Sequence, residues 1–277
     1  MGDCIYCGKP AGFLRRSHRE CREKHDLGWE AMVRLARDAV LGTEELEGIE
    51  DRLAGMAEEH FIKGERVREA LIAGWEEAVQ HFLDDGDLAP GEEELLAAYV
   101  EYFGFSQEDL DKGGAYTKFV QGAVLREVME GKIPSRFNVT GTLPFNFQKS
   151  EELVWAFSDV AYYEERTRRH YVGGSQGVSI RIAKGVYYRI GGYKGRPVEK
   201  EETVLVDKGI LALTTKHLYF GGERKSFRVP YRKIVSFVPY SDGIGIHRDA
   251  ASAKPQIFVT GDGWFTYNLV VNLAAEG

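Results

Sequence analysis

All three cysteines of this 277-residue chain, Cys4, Cys7 and Cys21, stand in its first 21 residues. Three is an odd number, and crowding at one end makes a poor disulfide framework. The spacing is that of a metal knuckle: Cys4-x2-Cys7, ten residues, then His18-x2-Cys21. Zinc takes four sulfur or nitrogen ligands in a tetrahedron, and a site closed by four protein ligands is structural. A C-x2-C turn offers two thiolates from one loop, and Gly8 suits that turn. His18 and Cys21, three apart, share a face of one helical turn. The expected ligands of a structural Zn2+ are Cys4, Cys7, His18 and Cys21, with His25 a rival to His18. About 25 residues cannot build a core alone, so the metal would supply the folding energy of a knuckle over 1–27.

Beyond the knuckle the charge changes sign twice. Residues 1–26 hold 6 Lys/Arg against 4 Asp/Glu, 27–131 hold 9 against 25, and 132–277 hold 21 against 14. The net charge of -7 thus averages blocks of +2, -16 and +7, and describes none of them. No apolar run approaches the roughly 18 to 20 residues of a membrane helix. The N-terminus lacks a signal pattern, and Tyr6 breaks the myristoylation pattern. A cytoplasmic protein is expected, at most peripheral to a membrane.

The acidic block, 28–134, has a helical period. Val67, Leu71, Trp75, Val79 and Phe82 recur every three to four residues, as do Leu95, Tyr99 and Phe103. Gly42-Thr43, Lys63-Gly64, the 84–90 turn, Gly104 and Lys112-Gly113-Gly114 break it into four to six helices. Pro90 and Glu92-Glu93-Glu94 mark one helix start, and Ser106 before Glu108-Asp109 marks another. The turn Asp84-Asp85-Gly86-Asp87 followed by Glu94, with Ser106-Gln107-Glu108-Asp109-Leu110, resembles the TerB-like (tellurite-resistance-associated) helical family over about 65 residues. That resemblance implies acidic metal contacts at Asp84, Asp85, Asp87 and Glu94. An EF-hand reading fails, since Gly86 and Leu95 fall where oxygen ligands are needed; a capped turn with a solvated acidic face is the plainer reading.

From about Phe145 the period changes to two, with glycine-rich turns between short strands. Thr214-Thr215-Lys216 reads as a turn between strands, and Pro230 as an edge or strand-end position. Phe265, Leu269 and Leu273 give the C-terminal stretch a helical stripe. Gly209-Ile-Leu-Ala-Leu213-Thr214-Thr215-Lys216-His217-Leu218-Tyr219-Phe220, Val229-Pro230-Tyr231-Arg232-Lys233-Ile234 and Asp242-Gly243-Ile244 resemble the GRAM and bacterial pleckstrin-homology-like family over 203–277. The resemblance implies a seven-stranded barrel-like sandwich with a capping helix over 145–277, acting as a binding platform. The chain as a whole is therefore expected to be α+β and multidomain.

Residues 159–200 depart from that family as a basic elaboration, with 9 Lys/Arg against 4 Asp/Glu. Ile180 and Ile182 alternate with Arg181, as in an amphipathic hairpin. Arg166, Arg168, Arg169, Arg181, Lys184, Arg189, Lys194 and Arg196 are its candidate anion- or partner-binding residues. Gly173-Gly174-Ser175-Gln176-Gly177 lacks the Lys-Ser/Thr of a phosphate loop.

Enzyme motifs are absent: no G-x-S-x-G, no H-E-x-x-H and no dinucleotide fingerprint. His170, His217 and His247 read as surface or packed strand residues. The expected function is that of a non-enzymatic, zinc-containing adaptor without a small-molecule substrate. Its β-domain would bind an anionic membrane surface or a protein partner, and the two resemblances imply bacterial stress or defence. The alternative is nucleic-acid binding through the knuckle and the 159–200 hairpin, and a third reading is an oligomeric structural component.

Overall fold

The computed structural model describes residues 2–13, 15–84, 86, 88–134, 143–172, 178–183, 186–190, 196–250 and 254–276, with side chains left out over 166–201. It is a mixed α+β protein, with seven helices and one seven-stranded antiparallel sheet among the described residues. The chain divides into two compact units, Met1–Glu130 and Gly131–Gly277.

In the first unit the helices are α1 (Arg19–Val40), α2 (Ile49–Glu59), α3 (Gly64–Phe82), α4 (Pro90–Phe103), α5 (Gln107–Leu110) and α6 (Ala115–Met129). α1 buries Met32, Leu35, Ala36, Ala39 and Val40, and α3 buries Leu71, Trp75, Ala78 and Val79, each at helical spacing. The two cross at Gly74, where an added Cβ would lie 2.5 Å from Ala36 Cβ and 2.8 Å from the Val33 carbonyl. Only glycine lets the backbones approach this closely. Trp75 is fully buried and donates through Nε1 to the Leu96 carbonyl at 3.2 Å. Tyr99 donates to the Leu71 carbonyl at 3.2 Å. These two bonds satisfy the polar tips of the two largest core side chains.

The helix starts follow from the sequence. Glu92 Oε2 accepts from the Ala89 N–H at 2.9 Å. Ser106 and Asp109 exchange bonds reciprocally, Ser106 N–H donating to Asp109 Oδ2 at 3.0 Å and Asp109 N–H to Ser106 Oγ at 3.3 Å. The last helix of the unit ends at Met129, five residues short of Pro134.

The second unit contains β1 (Leu153–Val172), β2 (Val178–Ala183), β3 (Val186–Ile190), β4 (Arg196–Thr214), β5 (His217–Gly222), β6 (Ser226–Pro230), β7 (Ile234–Tyr240), β8 (Gly243–Arg248), β9 (Gln256–Val259) and α7 (Gly263–Glu276). The main sheet has the order β6-β5-β4-β1-β9-β8-β7, and β2 and β3 pair only with each other. The side chains of Tyr162, Phe220, Phe227 and Phe258 pack in one aromatic core. Phe265, Leu269, Val270 and Leu273 turn α7 inward, and the Phe265 ring meets that of Trp155 edge-on at 4.8 Å. As the sequence predicts, β4 ends at Thr214, β5 starts at His217 and Pro230 ends β6.

Two features differ from the sequence reading. The strands begin at Leu153 rather than near Phe145. Residues 143–152 form a strap instead, with Phe145 and Phe147 against the Tyr219 ring at 5.5 and 5.1 Å. Their alternating aromatics serve packing across strands rather than pairing along one. The basic elaboration 159–200 is also not one hairpin: it begins inside β1 and ends inside β4, with the β2–β3 hairpin between them. β1 pairs with β9 only over Ala161–Glu164, but stays in register with β4 to the pair Val172↔Arg196. The two core strands thus run on as a two-stranded ribbon, eight residues or about 26 Å past Glu164.

Candidate metal centre

The knuckle is built from three short backbone crossings. The Cys4 N–H donates to the Lys9 carbonyl at 2.7 Å, Ile5 N–H to the Arg16 carbonyl at 3.0 Å and Ala11 N–H to the Gly2 carbonyl at 3.0 Å. The Gly8 N–H closes the Cys4–Cys7 turn by donating to the Cys4 carbonyl at 2.9 Å, and its φ of +70° turns the chain back so that the Lys9 carbonyl meets the Cys4 N–H. His18 is the N-cap of α1 and Cys21 lies in its first turn. The helix start therefore carries two of the four groups, and the Cys4–Cys7 turn carries the other two.

The ligand atoms of Cys4, Cys7, His18 and Cys21 all lie within 4.8 Å of one another, close enough to hold a metal ion. His18 Nδ1 is 3.4 Å from Cys7 Sγ and 3.6 Å from Cys21 Sγ. In a tetrahedron with Zn–S of about 2.3 Å and Zn–N of about 2.05 Å, the S–N edge is about 3.6 Å. The two S–N distances fit that chemistry.

The other ring nitrogen fixes the tautomer. His18 Nε2 sits 3.1 Å from the Pro10 carbonyl. A proton donated there leaves the Nδ1 lone pair facing the sulfurs, the arrangement metal-bound imidazoles favour. His25 lies outside the cluster, its ring 4.8 Å from that of Tyr6 and its Nδ1 3.2 Å from Asp26. Among the described residues, the four form the one cluster of this kind; Asp85 and Asp87 lie outside them.

Electrostatics separates the thiols. Burial opposes ionisation of Cys4, but backbone N–H groups of Cys7, His18 and Tyr6 and the Cys7 thiol bring it down to about 6. Burial, followed by the Cys7 and Cys4 thiols, pushes Cys21 up to about 11. The Pro10 carbonyl and then the Cys7 thiol raise His18. Three thiolates around one point repel, and a divalent cation at the centre reverses that repulsion.

The second unit holds a polar cluster that the sequence reading passed over. The Glu151 carboxylate, in the strap, is fully buried. It accepts from the Gln148 N–H at 2.6 Å, Thr214 Oγ1 at 2.8 Å, His217 Nδ1 at 2.7 Å and the Tyr219 hydroxyl. His217 and Tyr219, two apart on β5, were legible as one strand face. Their partner is 66 residues away, and nothing in the local pattern marks it.

The candidate basic residues lie on or beyond the ribbon. Arg166 pairs with Glu202, Arg168 with Lys200, Arg169 with Glu199 and Arg196 with Val172. Strand alternation therefore places Arg166 and Arg168 on one face and Arg169 on the other. In the β2–β3 hairpin, Arg181 pairs with Tyr187 and Arg189 with Ser179. Lys184 and Lys194 lie outside the described residues. Among the described residues, no helix is long and apolar enough to cross a membrane. No family model matches the chain, and no curated protein matches it.

Proposed function

We propose that this chain is a zinc-holding interaction protein whose second unit is a binding platform rather than a catalyst. The observation carrying the metal reading is the set of S–N distances near 3.6 Å, with the second His18 nitrogen tied to a backbone carbonyl. Four protein ligands leave no open coordination position, so the role is structural. Metal analysis of the purified protein is expected to give about one zinc per chain. Cys21→Ser and His18→Ala should each lower that content, and a zinc-free wild type would overturn the reading.

The platform reading has separate support. Leaving aside the β2–β3 hairpin, the strands run meander, central first strand, meander, and a C-terminal helix packs on the sheet. Seven strands and a C-terminal helix are what the resemblance implies, and they favour the GRAM-like reading. The TerB-like reading of the first unit draws support from the capped starts of α4 and α5.

The ligand of the platform is proposed to be an anionic membrane surface, gripped by the ribbon. Full-length protein should sediment with phosphatidylserine vesicles at low salt. Replacing both Arg166 and Arg168 by Glu should weaken sedimentation more than replacing Arg169 alone. Protein that stays in the supernatant at low salt would exclude the membrane version.

A further inference from the structure

The knuckle has an outer surface that metal binding does not explain. Phe13 is 82% exposed and Ile5 62% exposed, on a segment where every ligand group is half-buried or buried. Lys9, Arg15, Arg16 and Arg22 are also exposed, and none has an ion-pair partner among the described residues. Arg19 is different, being paired with Glu23 at 2.6 Å. Asp3 and Glu20 are the nearby acids, so the surface keeps a positive excess.

The metal ligands fix most of this set in place. Ile5 follows Cys4, Lys9 is two residues past Cys7, Arg16 is two before His18 and Arg22 follows Cys21. The Ile5 N–H bond to the Arg16 carbonyl holds the backbones of an apolar and a cationic residue side by side. Along the chain, and among the described residues, an exposed aliphatic and an exposed aromatic side chain thus alternate with four exposed cations that have no ion-pair partner. A lipid surface or protein groove would favour a continuous apolar face. Alternating phosphates and flat bases match an interleaved one. An open aromatic ring needs an unstacked base, which a duplex does not offer, so the fit is to a single strand.

We infer that the metal-organised knuckle binds single-stranded nucleic acid, stacking a base on Phe13 and neutralising phosphates with Lys9, Arg15, Arg16 and Arg22. The inference rests on the proposed metal organising the knuckle.

Fluorescence anisotropy of zinc-loaded, full-length protein tests it, with labelled oligo-dT and oligo-U of about 15 nucleotides over roughly 25 to 200 mM salt. Four phosphate contacts predict a slope of log affinity against log salt of about -3. Replacing Arg15 and Arg16 together by Ala should reduce that slope to about -1.4. Phe13→Ala should weaken binding about tenfold with the slope unchanged. Leu27→Ala, at an exposed apolar residue of α1 outside the loop, should change neither.

Zinc content is measured for every variant, which separates the two readings. A wild type without zinc removes the metal reading itself. Protein carrying one zinc that ignores both oligonucleotides at the lowest salt overturns the nucleic-acid inference alone. So does binding that Phe13→Ala and the double arginine variant leave untouched, or a knuckle that binds phosphatidylserine vesicles through Phe13 but no oligonucleotide.

Discussion

A buried carboxylate is tolerable only when its lone pairs are met, and Glu151 has four donors around it. Burial alone would raise its titration point. The Tyr219 hydroxyl, the Gln148 N–H, His217 and Thr214 outweigh that and hold it at about 2. An unfolded glutamate titrates at about 4.3. A lowered folded value means the stabilisation is complete above about pH 4.3 and is lost as pH falls towards about 2. Acid unfolding of the second unit should therefore steepen in that window, and Glu151→Gln should flatten it in a circular-dichroism titration. Glu151→Ala strands several buried donors and should cost about 3 kcal/mol at neutral pH. Residue types and spacing were enough to read the four knuckle groups, because all four lie within 18 residues. They were not enough for Glu151, whose partners are brought in by sheet topology.

Elements were legible where one period ruled a whole segment. α3 carries its apolar stripe without interruption, and α7 does the same. The ribbon was harder, because alternation in 159–200 cannot say whether a new strand has started or an old one continues. Register settles that, and register depends on partners far away in sequence. The strap 143–152 misled for a related reason, since Phe145 and Phe147 alternate as strand residues do. Helix crossing was invisible too: Gly74 reads as a weak helix residue until Ala36 and Val33 appear against it. Gly74→Leu should cost about 1 to 3 kcal/mol in denaturant unfolding by forcing α1 and α3 apart. Gly55→Ala in exposed, open surroundings on α2 should instead gain up to about 1 kcal/mol.

At the scale of the molecule, the metal and the helical core share one helix. α1 begins at the knuckle, with His18 as its cap, and ends among the buried residues of the first unit. Chelation should therefore reach beyond the knuckle. Calorimetry with a strong chelator should show the helical unit melting earlier, while the β-unit keeps its transition. A β-unit transition that shifted equally would contradict that coupling. The charge blocks of +2, -16 and +7 follow the same division, with knuckle and acidic helices inside one unit and the basic strands in the other. The long first strand of the β-unit has its own consequence. Flanked by β9 and β4 over Ala161–Glu164 and, among the described strands, paired only with β4 beyond, it is a covalent rod rooted in the sheet's centre. A ligand gripping the ribbon, as proposed, would pull on amides about 26 Å away, so hydrogen exchange in the middle of the sheet would act as a strain gauge for an event at the tip.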